Sequence, residues 1–352
     1  MSRTKTLWVR EPYIFRILAG HKTVEVRVGY DNIRRLQPGD ILNLNDEHTV
    51  TIRRVGRYAN FEELLAREDP AAIAPGLAGD STALLEALRQ IYPPDKEALG
   101  AIALELDVAS GPNPAERRYD AVLFDMGYTL VYFEPIQEII VQEALRTIGA
   151  ERSVEEIDAA VKVVWSTVLS EAAMASFPAT EEYDRQVQAE LSQALLAELG
   201  VDTGEAEMQT YEHALESGFT RPGVIRPYPE VVEVLTALQE QGYRRGIVSN
   251  WSWNLRDRVE QVELDRFFEF VWASAYAGCN KPHPQIFEQA LAQMDLQPER
   301  ALYIGDSYPH DVVGARNAGV DVLLVDRPGT AGEIDFPVIS DLWGIWGALV
   351  GL

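Results

Sequence analysis

Five side chains in this 352-residue sequence, Asp125, Ser249, Lys281, Asp306 and Asp311, are of the types that phosphoryl transfer needs. Three of them follow apolar runs: Ala121-Val122-Leu123-Phe124 precedes Asp125, Gly246-Ile247-Val248 precedes Ser249, and Leu302-Tyr303-Ile304-Gly305 precedes Asp306. Lys281 lies in Asn280-Lys281-Pro282-His283-Pro284, just before a proline that can open a helix, and Asp311 follows Asp306 by five residues. An anionic nucleophile can approach a phosphate dianion only if cations neutralise both. Carboxylates must therefore hold a Mg²⁺ ion while a lysine and a hydroxyl grip the phosphoryl oxygens.

These side chains must be brought together by the elements that precede them. Four apolar residues in a row read as a strand buried on both faces, and Gly127 is ready to turn the chain after Asp125. From Val224 onward, strand patterns at 245–249, 268–272, 301–305 and 320–325 alternate with helical ones, which predicts a parallel sheet covered on both faces. In such sheets ligands bind beyond the carboxyl ends of the strands, where Asp125, Ser249 and Asp306 fall. Between the first and second of these runs, segments near 137–149, 153–175, 181–199 and 204–217 repeat apolar residues every three or four positions, so the spacing predicts a helical insertion.

Residues 119–352, with these four stretches in order, resemble the haloacid dehalogenase-like (HAD) hydrolase superfamily. The resemblance implies an α/β fold with a Rossmann-like parallel sheet and an inserted helical cap, here about 136–222. It implies that Asp125 is a nucleophile forming an aspartyl-phosphate, that Ser249 and Lys281 orient and neutralise the phosphoryl group, and that Mg²⁺ is the cofactor. Asp125, Asp306 and the Gly127 carbonyl would bind the metal, with Asp311 supporting it. One position departs from the pattern: Gly127 stands where the superfamily's phosphatases carry a second aspartate, the general acid and base. His283, His310 and Tyr128 are the alternative proton carriers in the sequence, and Trp251, Trp253, Tyr132 and Phe133 border the motifs. The expected function is a Mg²⁺-dependent phosphatase acting on a small phosphorylated metabolite. The alternatives are a dehalogenase, a branch that also lacks the second aspartate, and a binding protein with a degenerate HAD module.

Residues 1–110 read differently. Alternating stretches at 6–10 and 23–27, the turn Gln37-Pro38-Gly39-Asp40 before Ile41-Leu42-Asn43-Leu44, and runs at 49–55 and 101–108 predict a small β-barrel with helices near 61–67 and 81–91. On a strand, Glu25 and Arg27 share a face, with Lys22 at its start. Gly20-His21-Lys22-Thr23-Val24-Glu25-Val26-Arg27 matches a GxKxxExR signature, and this part resembles the ASCH domain, a PUA-like barrel associated with RNA binding. The resemblance implies an RNA or nucleotide partner at Lys22, Glu25 and Arg27, and Arg34, Arg35, Arg53, Arg54 and Arg57 would add a phosphate-binding rim. The amidohydrolase activity of some small ASCH proteins is not expected, because Glu25 stands where they have threonine. Residues 111–118, within a Gly- and Pro-rich stretch, are the expected linker.

The formal charge of −24 is unevenly spread: residues 1–110 hold 14 Lys and Arg against 16 Asp and Glu, leaving 17 against 39 for the remainder. So acidic a surface disfavours nucleic acid or anionic membrane as partner of the second part. The lone cysteine, Cys279, excludes an intrachain disulfide. With no long apolar run to span a bilayer and no signal-like start, the expectation is a cytoplasmic protein without a membrane partner.

Overall fold

The computed structural model describes residues 3–77, 80–107, 117–172, 175–332 and 335–350. Two compact units result, Met1–Arg117 with Trp343–Leu352, and Arg118–Leu342. Apart from Arg117 and Arg118, the expected linker lies outside the described residues. Among the described residues, no helix is long and apolar enough to cross a membrane.

The first unit is a curled five-stranded sheet of the PUA-like kind. Its strands β1 (Thr4–Leu7), β2 (Val24–Val28), β3 (Ile41–Leu44), β4 (His48–Tyr58) and β5 (Ala101–Asp107) stand in the order β1-β3-β4-β5-β2. β1 and β3 pair in parallel and the others antiparallel, with a bulge between Ile52 and Arg54 bending the long β4. Both faces are covered, as the period of two requires: Ile102, Leu104 and Leu106 pack with Ile14 and Ile17 of the helix Glu11–Leu18, while Ala101 and Ala103 pack with Leu84 and Leu88 of Ser81–Ile91. The helix Glu11–Leu18 departs from the sequence expectation. The alternation through Arg10 suggested a longer strand, but β1 stops at Leu7 and Pro12 stands at the start of a helix, a position where its missing N–H costs nothing.

A second departure concerns the end of the chain, expected to belong with residues 119–352. Trp343–Leu352 cluster with the first unit instead. The indoles of Trp343 and Trp346 are fully buried, 5.3 Å apart, with His21 edge-on to Trp343 at 5.6 Å and the Arg16 guanidinium over it at 5.2 Å. Two large apolar rings bring the short helix Ile345–Leu349 to this cover.

In the second unit, β6 (Ala121–Phe124), β9 (Arg244–Ser249), β10 (Phe270–Ala273), β11 (Ala301–Gly305), β12 (Asp321–Val325) and β13 (Val338–Ile339) form a parallel sheet in the order β10-β9-β6-β11-β12-β13. β6 is central and buried on both faces. Phe124 is in register with Ile247 of β9 and Ile304 of β11, so the three strands finish at one edge. The short ribbon of β7 (Val131–Phe133) and β8 (Ile225–Pro227) flanks the cap, whose helices Gln137–Thr147, Val154–Ala172, Glu181–Glu198 and Glu205–Thr220 enclose their own core of Leu145, Ile157, Leu196 and Tyr211.

Candidate functional site

Strand register places the site. Asp125 emerges where β6 ends, its N–H donating to the Ile304 carbonyl at 2.8 Å, and Ser249 closes β9. Lys281 arrives from a loop held by Asn250: the Asn250 side chain accepts from the Lys281 N–H at 2.7 Å and donates to the Lys281 carbonyl at 3.0 Å. Thus the residue after Ser249 fixes the backbone that carries the lysine.

The Lys281 ammonium is buried and fully directed. It donates to Asp125 Oδ1 at 2.7 Å, to Asp311 Oδ1 at 2.6 Å and to the Tyr303 hydroxyl at 2.9 Å. Ser249, buried at the end of β9, lies near enough to Asp125 to favour its charged form. Asp311 is locked by the wide helical turn Tyr308–Val312, its Oδ2 accepting from the Ser307 N–H at 2.9 Å. It lies so close to β11 that a Cβ on Gly305 would fall 2.3 Å from its Cγ, and this is why glycine ends that strand. Asp306 receives the Thr129 hydroxyl at 3.3 Å.

One ammonium cannot balance this much negative charge. Carboxylate oxygens of Asp125, Asp306 and Asp311 lie within 4.8 Å of one another. Burial, then the charges of Asp125 and Asp311, push the Asp306 carboxyl up to about 8. Asp125 is raised as well, by burial and by Asp311, against the pull of Lys281. Lys281 itself is raised: burial would lower it, but the charges of Asp125 and Asp311 prevail. A buried carboxylate cluster with one ammonium among three acids suits a small divalent cation.

All five residues named from the sequence converge here. Gly127 sits beside them with room to spare, since a Cβ built on it would meet within 4 Å only the Trp251 ring carbon Cζ3, at 3.5 Å, and the positive φ in this turn belongs to Tyr128. The alternative proton carriers are variously placed. His283 Nδ1 accepts from the Gln285 N–H at 3.1 Å, His310 Nδ1 is 3.0 Å from the Ser307 hydroxyl, and Tyr128 is partly exposed. Tyr303, Asn250 and Thr129 have roles that the sequence did not disclose; a tyrosine inside the apolar run of β11 was the available signal.

The comparisons with known proteins agree with this geometry. The model of the haloacid dehalogenase-like hydrolase family matches residues 122–325. The chain belongs to that family. The ASCH domain model matches residues 7–109, so an ASCH domain precedes the HAD-like hydrolase domain. A glyceraldehyde 3-phosphate phosphatase of Methanothermobacter thermautotrophicus is 34% identical over 131 residues, covering 34% of this chain and 57% of that protein. The chain spans about half the length of the curated relatives it matches. Among solved structures, the HAD-type hydrolase YfnB of Bacillus subtilis, bound to magnesium, aligns with a TM-score of 0.54 at 22% identity, covering 66% of this chain and 99% of that one. The L-2-haloacid dehalogenase PA0810 aligns with a TM-score of 0.50 at 21% identity, covering 66% and 100%. A HAD-type hydrolase and a dehalogenase thus share the fold, and only the site's chemistry can choose between reactions.

In the first unit, Lys22, Glu25 and Arg27 do meet, but they are turned on one another. Lys22 Nζ donates to the carbonyls of Val24 at 2.8 Å and Ile73 at 2.7 Å and pairs with Glu25 at 3.1 Å, which occupies its three hydrogens. Arg27 pairs with Glu25 at 2.6 Å and donates to the Trp8 carbonyl at 2.9 Å, bridging β2 to the residue after β1. Much of the expected arginine rim is likewise engaged: Arg54 pairs with Glu68 and Glu105, and Arg57 donates to the carbonyls of Arg34 and Leu36. What remains is a cavity of about 450 Å³ floored by the triad and rimmed by Trp8, Tyr30 and Ile91.

Proposed function

We propose that the second unit is a Mg²⁺-dependent phosphatase that hydrolyses a small phosphorylated metabolite through an aspartyl-phosphate on Asp125. The observation that carries this reading is the buried cluster in which Lys281 bridges Asp125 and Asp311 while carboxylate oxygens of Asp125, Asp306 and Asp311 lie within 4.8 Å of one another. A haloalkane carbon brings no dianionic group that would call for so many cation-binding carboxylates; a phosphate does. Asp125, Asp306 and the Gly127 carbonyl would hold the ion, and when bound it would supply charge neutralisation for the phosphoryl oxygens. The chain's own groups do the rest: Asp125 attacks phosphorus, Lys281 and Ser249 orient the phosphoryl group, and Asp311 and Tyr303 aim the lysine. The test is hydrolysis of a panel of phosphomonoesters with Mg²⁺ and with a chelator. Turnover that stops on chelation supports the reading; turnover that survives complete chelation, or release of halide from haloacids instead, overturns it.

For the first unit we propose an RNA or nucleotide partner, read at the triad-floored cavity by stacking on Trp8 and Tyr30. Trp8 is 73% exposed at the cavity rim, an unusual position for an indole unless a flat ligand covers it. Because Lys22 has no hydrogen left for phosphate, Trp8→Ala should weaken nucleotide binding more than it lowers stability. Unchanged binding would remove this reading.

A further inference from the structure

We propose that the ester cleaved here is a small aryl phosphate, so that the alcohol released is a phenol. The proposal rests on the phosphatase reading of the Asp125 site and names its substrate class. Two independent features of the site carry it.

The first is chemical. The position two residues beyond the nucleophile carries no carboxyl group, and a Cβ built there would meet only the edge of Trp251, at 3.5 Å. An alkoxide leaving group needs a proton from a positioned acid, whereas a phenolate, whose conjugate acid titrates near the tyrosine value of about 10, departs without one. In the first step a carboxylate oxygen of Asp125 bonds to phosphorus, the bond from phosphorus to the aryl oxygen breaks, and its electron pair leaves on the phenolate, which takes a proton from water. In the second step water attacks the aspartyl-phosphate, the Asp125 carboxylate is regenerated, and the released proton goes to solvent with inorganic phosphate.

The second feature is geometric. The wall beside that position is aromatic and held in place. Trp251 donates its indole N–H to Asn254 at 3.1 Å, and its backbone N–H reaches the Ser274 hydroxyl at 3.2 Å, which leaves the benzo edge toward Gly127. Phe133 lies nearly parallel to Trp251, with centroids 6.3 Å apart, and Phe219 from the last cap helix meets Phe133 edge-on at 5.9 Å. Tyr128 completes the group, 5.8 Å from Phe133. A flat ring leaving from phosphorus at Asp125 would meet ring faces and edges of the kind that pair well with it. The cap is tied to the core beside this wall by the Trp253 N–H on Asp184 at 3.0 Å and the Phe177 N–H on the Gly278 carbonyl at 2.8 Å, which favours a small molecule over a protein-borne ester.

Four esters separate the two features: phenyl phosphate (ring, good leaving group), benzyl phosphate (ring, poor), trifluoroethyl phosphate (no ring, better than a simple alkoxide) and cyclohexyl phosphate (neither). With the full chain and Mg²⁺, kcat for phenyl phosphate should exceed that for benzyl phosphate by roughly 10²-fold or more, the range a missing general acid would leave. KM should be similar for those two and higher for cyclohexyl phosphate. Trp251→Leu should lower the preference for phenyl over trifluoroethyl phosphate about 10-fold, equal to about 1.4 kcal/mol, and Trp251→Phe should retain it, which separates loss of the ring contact from loss of folding. Cyclohexyl phosphate cleaved as well as phenyl phosphate, or a preference unmoved by a folded Trp251→Leu, would overturn the proposal while leaving the phosphatase reading intact. Hydrolysis of none of the four by a protein that turns over other phosphomonoesters would overturn the proposal alone, whereas hydrolysis indifferent to chelation would remove the phosphatase reading and the inference with it.

Discussion

In the first unit a single buried carboxylate, Glu25, is shared by two cations, Lys22 and Arg27; in the second a single buried ammonium, Lys281, is shared by Asp125 and Asp311 with Asp306 beside them. The pKa directions follow from that inversion. Glu25 is held below its ordinary range, because the charges of Lys22 and Arg27 overcome a burial that would raise it, and its cations spend remaining donors on backbone carbonyls and the Tyr92 hydroxyl. Asp125 and Asp306 are pushed up, because burial and the charge of Asp311, with that of Asp125 acting on Asp306, outweigh a single lysine. Neither cluster is neutral, but the donors of the triad's cations are spent on Glu25 and on backbone carbonyls and so brace strands, whereas carboxylates held above their ordinary range are a place for a cation. Buried charge alone therefore says little about function until the partners of each group are counted.

The comparison can be broken most sharply at the two central acids. Asp125→Asn should cost turnover on the order of 10⁴-fold, because an amide is no nucleophile, while the melting temperature in chelator holds or rises. Glu25→Gln should do the reverse, destabilising the first unit by about 3–5 kcal/mol through two uncompensated cations and leaving phosphatase turnover of the surviving folded protein in place. Denaturant melts and initial rates measured on both variants decide the matter. Lys281→Met comes next: leaving the carboxylates unbalanced should cost about 3–5 kcal/mol, and added Mg²⁺ should recover part of it, a recovery that Glu25→Gln should not show. Gly127→Asp is smaller in effect. The position has room and no positive φ, so the variant should fold and should raise turnover of alkyl phosphates by about 10- to 100-fold, with little gain on aryl ones.

The pH dependence gives the smallest signal, of opposite sign in the two clusters. For Glu25 the folded value is depressed, so its contribution to stability is present above the ordinary value of 4.5 and is lost as pH falls through the folded one. For Asp306 the folded value is raised from 3.8 to about 8, so the folded state holds a proton that the unfolded chain has released, and stability falls as pH rises between those values. Melts in chelator from pH 5 to 8 should show the second unit weakening and the first unchanged by its triad, and Mg²⁺ should flatten the slope.

Much of this was legible in the sequence because strand ends carry their own signal. A short apolar run that stops at an acid or a hydroxyl announces both the strand and the edge, which is how Asp125, Ser249 and Asp306 could be named before their register was known. The cap helices were readable for a similar reason, since their apolar spacing is local. Contacts that depend on distant pairing were not readable. Nothing in Trp343 and Trp346 says that their cover lies some 320 residues earlier, at Arg16 and His21. Nor does the GxKxxExR pattern reveal that Lys22 donates to the Ile73 carbonyl, which turns an expected phosphate ligand into a structural brace. Tyr303 escaped notice because a tyrosine in a buried strand usually packs; here its hydroxyl lies 3.0 Å from Asp311 and 2.8 Å from the Val248 carbonyl.

The most direct test of the central claim, that the anionic excess at Asp125, Asp306 and Asp311 is a metal and phosphoryl site whereas the triad is not, is calorimetric titration with Mg²⁺ in buffers of different ionisation enthalpy. The full chain should bind Mg²⁺ near pH 7 with release of a proton, because the Asp306 carboxyl is held up to about 8 without the ion. Asp306→Asn should abolish the binding, and Glu25→Gln should leave it unchanged. Absence of Mg²⁺ binding by the intact protein, or binding that persists undiminished in Asp306→Asn, would contradict the account.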